Sequence, residues 1–117
     1  MRRKKTTRGL TEEQLLGPAA HCAARLMERY GVASRDEAEG LYLRHHVMLN
    51  NGRAPILYSS PIGGRVYRLE DEDGRVYYPV RRKSDENPRV RITVTYLSPD
   101  MVYETMMGEG PAWFRPI

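Results

Sequence analysis

The stretch Val90-Arg91-Ile92-Thr93-Val94-Thr95-Tyr96-Leu97 decides how the chain folds. Branched and aromatic residues dominate it, and these suit a pleated, half-buried surface. Successive side chains of a strand point to opposite faces. Val90, Ile92, Val94 and Tyr96 therefore share one face, and Arg89, Arg91, Thr93, Thr95 and Leu97 the other. The apolar face is expected to lie beneath helices. The second face is expected to be polar and positively charged, suited either to a phosphodiester backbone or simply to water.

Upstream of this strand the texture stays extended. Ile56-Leu57-Tyr58 reads as a short strand, and residues 59–64 as a turn containing Pro61 and Gly63-Gly64. Residues 65–70 and 75–81 flank Asp71-Glu72-Asp73-Gly74, a run ending in Asp-Gly between apolar segments, which signals a hairpin. Residues 83–88 form a polar loop. Downstream, residues 101–107 fit a short strand or a helical turn equally, and residues 108–117 read as a tail anchored by Trp113 and Phe114.

Further back the period changes from two to between three and four. Thr11 and Gln14 match a capping box that opens a short turn. Pro18 suits the first position of a helix that runs to Tyr30 and stops at Gly31. Ser34 and Glu37 form a second, cleaner capping box, and Asp36 and Glu37 suit the positive end of the helix dipole. Ala38, Leu41, Tyr42, His45 and Met48 or Leu49 then recur at helical spacing until Asn50-Asn51-Gly52. Helix, helix and a run of antiparallel strands predict an α+β domain, with two N-terminal helices packed on one face of a four-stranded, mainly antiparallel sheet. The domain spans residues 11–107, between a disordered basic arm at residues 1–10 and the tail.

The chain has 117 residues, enough to bury a single core without disulfide staples. Its net charge of +4 is concentrated: Arg2, Arg3, Lys4, Lys5 and Arg8 lie in the first ten residues, so the remainder is near neutral. Such an arm either favours phosphate backbones through counterion release or serves only as a solvated tail. Cys22 is the one cysteine, which rules out an internal disulfide and gives no argument for secretion. No apolar run is long enough to span a bilayer, so a cytoplasmic location and no membrane partner are expected.

Candidate chemistry starts on the first helix. Positions four apart lie about 40° from each other on a helix. His21 and Arg25 are therefore neighbours, with Arg29 one turn on. A guanidinium beside an imidazole binds phosphate while the imidazole moves a proton near neutral pH, although an ordinary polar helix face carries the same residues. Arg81, Arg82 and Lys83 either extend a basic surface or are a solvated run. His45 sits on the apolar stripe, as a hydrogen-bonded core residue. His45-His46 is not a metal pair, because adjacent residues diverge by about 100° on a helix. No metal or cofactor is expected. Gly63-Gly64 lacks the lysine of a phosphate loop, and no serine sits in a nucleophile elbow.

The pattern of His21, three residues, Arg25, then Leu26-Met27-Glu28-Arg29-Tyr30-Gly31, a capped second helix and strands ending in Val94-Thr95-Tyr96 resembles small RelE-like toxins. These belong to the barnase–EndoU–colicin–RelE nuclease superfamily, and the resemblance covers residues 18–98. It implies a metal-independent endoribonuclease, with family roles on His21, Arg25 and Thr95. It also implies a basic residue on a middle strand, for which Arg81 is the nearest candidate. Arg2, Arg3, Lys4, Lys5, Arg8 and Arg91 would bind the RNA, and the product would be a 2′,3′-cyclic phosphate. The alternative is a non-catalytic module that docks on RNA or protein, such as a small host or phage regulatory protein or inhibitor.

Overall fold

The computed structural model describes residues 5–7, 10–11, 17–59, 64–85 and 87–106. Within the segment expected to be a disordered arm, β1 (Lys5–Thr7) pairs antiparallel with β2 (Leu10–Thr11). The threonines there are good strand formers. The rest of that arm, and the tail, lie outside the described residues.

Helix α1 (Ala19–Tyr30) is alanine-rich and free of β-branched residues. It starts one residue after Pro18, whose carbonyl accepts from the Cys22 N–H. Gly31 ends it at φ 68°, with the Gly31 and Val32 N–H groups returning to Met27 and Leu26 carbonyls. A side chain at that φ would be strained, which is why glycine suits it. Helix α2 (Arg35–Asn50) opens on the expected cap: Ser34 Oγ accepts from the Glu37 N–H at 3.2 Å.

One sheet contains β3 (Ile56–Ser59), β4 (Arg65–Tyr67), β5 (Leu69–Glu70), β6 (Val76–Lys83) and β7 (Arg91–Leu97), all antiparallel. Strands β4 and β5 follow one another along one side of β6, and β7 lies on its other side. The count is five rather than four because the strand before the hairpin breaks at Arg68, whose N–H leaves the ladder for the Pro55 carbonyl. The Asp71–Gly74 turn closes as expected, with Gly74 at φ 84° and its N–H on the Asp71 carbonyl.

Both helices cover one face. Ala19, Cys22, Ala23, Leu26 and Tyr30 of α1 meet Ala38, Leu41 and Tyr42 of α2 over Tyr77 and Tyr96. Arg75 fastens the end of α1: its guanidinium donates to the Tyr30 carbonyl and lies 5.7 Å from the Tyr30 ring and 5.4 Å from Tyr77. A cation on the last helical carbonyls and over two rings is favourable on both counts. The ambiguous segment after the last strand is a helix, α3 (Pro99–Glu104), capped by Ser98 Oγ on the Met101 N–H. Its Val102 packs with Tyr58 and Val66 against Tyr78, Val80 and Leu97, on the opposite face of the sheet.

The last strand departs from simple alternation. Val80 pairs with Thr95 but Arg81 pairs with Thr93, so Val94 is an extra residue in β7. Such a bulge inverts the facing of everything before it. Thr93 and Tyr96 consequently both point to the helices and are fully buried. Val90, Ile92 and Val94 cluster separately. The expectation that Val90 and Ile92 cover the helices, with Thr93 on a wet face, is thereby corrected. Thr93 Oγ1 finds no hydrogen-bond partner among the described residues. Replacing a buried unsatisfied hydroxyl by a methyl of the same shape removes its desolvation cost. Thr93→Val is expected to raise stability by about 1–2 kcal/mol, read as a higher urea midpoint. A lower midpoint contradicts this assignment.

Candidate functional site

Helix α1 lies along the open edge of β7 and runs parallel to it. Cys22 Sγ donates to the Thr93 carbonyl at 3.6 Å, Arg29 Nη1 donates to the Tyr96 carbonyl at 2.7 Å, and the Tyr30 hydroxyl donates to the Leu97 carbonyl. The Tyr30 oxygen also accepts from the Tyr78 N–H at 3.0 Å, bridging β6 and β7 where they part. From Cys22 to Arg29 the helix advances about 10 Å. From Thr93 to Tyr96 the strand advances about the same distance. The two elements therefore stay in step.

This fixes where the candidates fall. His21 is exposed on the outer side of α1, and Arg25 follows one turn later, between His21 and the anchored Arg29. Arg25 stands level with Val94 and Thr95 along the seam. Its Nη1 is 2.8 Å from Glu28 Oε2, an ion pair in which Glu28 is largely exposed. Exposed pairs of this kind are weak and exchange readily with solution anions. Thr95 is half-buried and shares the face of Val80, turned away from α1 and α2. The hydroxyl and the imidazole thus meet only around the β7 edge. Cys22, behind this row, has its thiol pushed up to about 12 by burial and is inert, in keeping with the packing role expected of it.

Arg81 is corrected. It was expected as a solvent-facing strand cation, but only 3% of it is exposed. The alternation of β6 puts it on the buried face shared by Tyr77 and Pro79, under α2, where Nη2 donates to Asn50 Oδ1 at 2.9 Å and to the Arg91 carbonyl at 2.6 Å. It is therefore not on the surface of the seam. Arg91 is half-buried near the start of β7. Lys5 lies in β1, while Arg2, Arg3, Lys4 and Arg8 lie outside the described residues.

A second polar cluster has no counterpart among the candidates except His45. His45 is fully buried, as expected of a hydrogen-bonded core residue. Its Nδ1 is 2.9 Å from the Tyr96 hydroxyl, its Nε2 is 3.3 Å from Asp71 Oδ2, and its ring lies 4.6 Å from Tyr77. Arg44 meets the same carboxylate oxygen at 2.5 Å. Asp71 is therefore ionised, His45 Nε2–H donates to it, and Nδ1 accepts from Tyr96. The network seals the core beneath the seam and has no route to solvent through Tyr96. Among the described residues no group of three or more His, Cys, Asp and Glu side chains is arranged to hold a metal ion.

No family model, no curated protein and no solved structure matches this chain.

The buried network makes stability depend on pH. Desolvation holds the His45 imidazole below its ordinary 6.5, against the opposing pull of Asp71. Arg44, the Glu72 N–H and His45 together hold the Asp71 carboxyl below its ordinary 3.8, overcoming the effect of its burial. Both groups favour the folded state at neutral pH and lose that contribution in acid. Unfolding free energy is expected to be level above pH 6.5 and to fall below it, with a further loss below pH 3.8 as Asp71 takes up its proton. The His45→Gln variant is expected to lose the first slope and keep the second. An unchanged profile in that variant contradicts the assignment.

Proposed function

We propose that the protein is a metal-independent endoribonuclease acting at the seam between α1 and β7. The reading is supported by one observation: His21, Arg25 and the anchored Arg29 follow one another along α1, which the Cys22–Thr93 and Arg29–Tyr96 contacts hold parallel to β7, with Thr95 on the strand's opposite face. An exposed imidazole, a guanidinium in a labile surface pair and a hydroxyl at the edge supply a base, a fixed charge and a hydrogen-bond donor.

His21 takes the proton of a ribose 2′-hydroxyl. The 2′ oxygen attacks the adjacent phosphorus, the bond to the 5′ oxygen breaks, and that oxygen takes a proton from water while His21 releases to solvent the proton it took. A 2′,3′-cyclic phosphate and a 5′-hydroxyl result. Arg25 stabilises the charge growing on the non-bridging oxygens, where a positioned cation is most effective. The Thr95 hydroxyl donates to the same phosphate. Arg81 supports Asn50 and β7 from beneath and touches no substrate.

A second reading, a non-catalytic RNA-binding module, is favoured by the Arg25–Glu28 pair, which engages the guanidinium that the chemistry needs. Purified protein with total RNA in EDTA separates the two. The nuclease reading expects cleavage. It expects His21→Ala to slow cleavage about 10²–10⁴-fold and Arg25→Ala about 10²–10³-fold, both with unchanged melting curves. RNA that stays intact, or is cut equally by His21→Ala protein, overturns the reading.

A further inference from the structure

We propose that one end of the sheet is a track for the phosphodiester backbone of single-stranded RNA, formed by Arg65, Lys83 and Arg91 around the buried Arg81. The register brings them together. Arg65 pairs with Arg81, and Lys83 pairs with Arg91, on three neighbouring strands. Cross-strand partners share a face, as do residues two apart on a strand. All four therefore lie on the α2 side, with Arg81 beneath the end of the helix at Asn50.

Like charges directly opposite each other destabilise a sheet, and here two such pairs stand side by side. Burial and then the charge of Arg65 pull the Arg91 guanidinium below its ordinary range. Arg81 lies in the middle, held by Asn50 and by the Arg91 carbonyl, with its Nε unpartnered among the described residues. Among the described residues no carboxylate pairs with it; burial, and after it the surrounding tyrosines and Arg91, bias its charge. Arg65 and Lys83 form no ion pair with any described carboxylate. A buried guanidinium without an acid is costly in isolation. An anion arriving from solution offsets that cost and relieves the repulsion around it.

The position of the track selects a chain-like anion. Because α1 and β7 run in parallel, the Arg91 end of β7 is also the His21 end of α1. Arg91 precedes Thr93 by about 7 Å, and His21 precedes the level of Thr93 by about 1.5 Å. A strand laid over Lys83 and Arg91 therefore continues to the seam. Met101 and Tyr103 of α3, and Met106 just after it, are exposed on the other face of the sheet. In where it leads, the inference rests on the endoribonuclease reading of the seam; the binding itself does not need cleavage.

The test uses a short fluorescent 2′-O-methyl oligouridylate, which lacks the hydroxyl needed for cleavage, and anisotropy over a range of salt. The parent protein is expected to bind with strong salt dependence. Lys83→Gln and Arg91→Gln are each expected to weaken binding several-fold, with the log–log salt slope falling by about 0.7 per cation removed. The triple variant with Arg65→Gln is expected to lose most affinity at low salt. Arg35→Gln and Arg68→Gln, away from the track, are expected to bind like the parent. Lys83→Gln changes only an exposed side chain and carries the test if the triple variant fails to fold. Unchanged affinity and slope in Lys83→Gln and Arg91→Gln overturns the track. Binding to phosphatidylserine vesicles in place of the oligonucleotide also overturns it. Cleavage that persists with unchanged binding in these variants removes the track and leaves the seam. Binding lost in the variants of a protein that cuts no RNA does the reverse.

Discussion

The structure depends on how α1 closes the open edge of β7. An edge strand presents carbonyl and amide groups that need partners. Here a helix supplies some of them with its own side chains: the Cys22 thiol and the Arg29 guanidinium each reach a β7 carbonyl, and the Tyr30 hydroxyl reaches the Leu97 carbonyl on the side of β6. Tyr30 also satisfies the Tyr78 amide, standing in for a ladder bond where β6 and β7 separate. These contacts set both the direction and the rotation of α1. Ala19, Ala23 and Leu26 turn inward, and the His21 and Arg25 side chains are left at the outer lip of the seam.

The bulge at Val94 is the second constraint. It lets Thr93 and Tyr96 face the helices from positions three apart, which an uninterrupted strand does not permit. Tyr96 then meets His45, and His45 meets Asp71 and through it Arg44, so the bulge, α2 and the hairpin are joined by one buried chain of hydrogen bonds. The same bulge brings Arg91 onto the face where the alternation of β4 and β6 already places Arg65, Arg81 and Lys83.

Local signals in the sequence carried the elements. Ser34 with Glu37, Gly31 after Tyr30, and Asp-Gly between apolar runs each act within a few residues, and each appears where its chemistry places it. Helix α3 was also legible in Ser98-Pro99-Asp100, a cap followed by proline and an acid, but the apolar run after it reads equally as a strand. The bulge left no mark, because Val94 has the composition of any strand residue. The burial of Arg81 was hidden for the same reason: in Arg81-Arg82-Lys83 nothing distinguishes the first from the two exposed cations that follow. Asp71 joins His45 across 26 positions and Tyr96 joins it across 51, distances at which spacing says nothing about contact. At the seam, the His21–Arg25 spacing was readable, whereas its alignment with β7 depends on the Arg29 and Tyr30 contacts, 67 positions apart.

The claim that α1 and β7 together form the RNA site is tested most directly by amide chemical-shift mapping with a non-cleavable 2′-O-methyl RNA. The account predicts saturable shifts along both elements, at His21 to Arg29 and at Arg91 to Thr95, appearing together at one affinity. Shifts confined to α3, with the seam unmoved at saturation, contradict it.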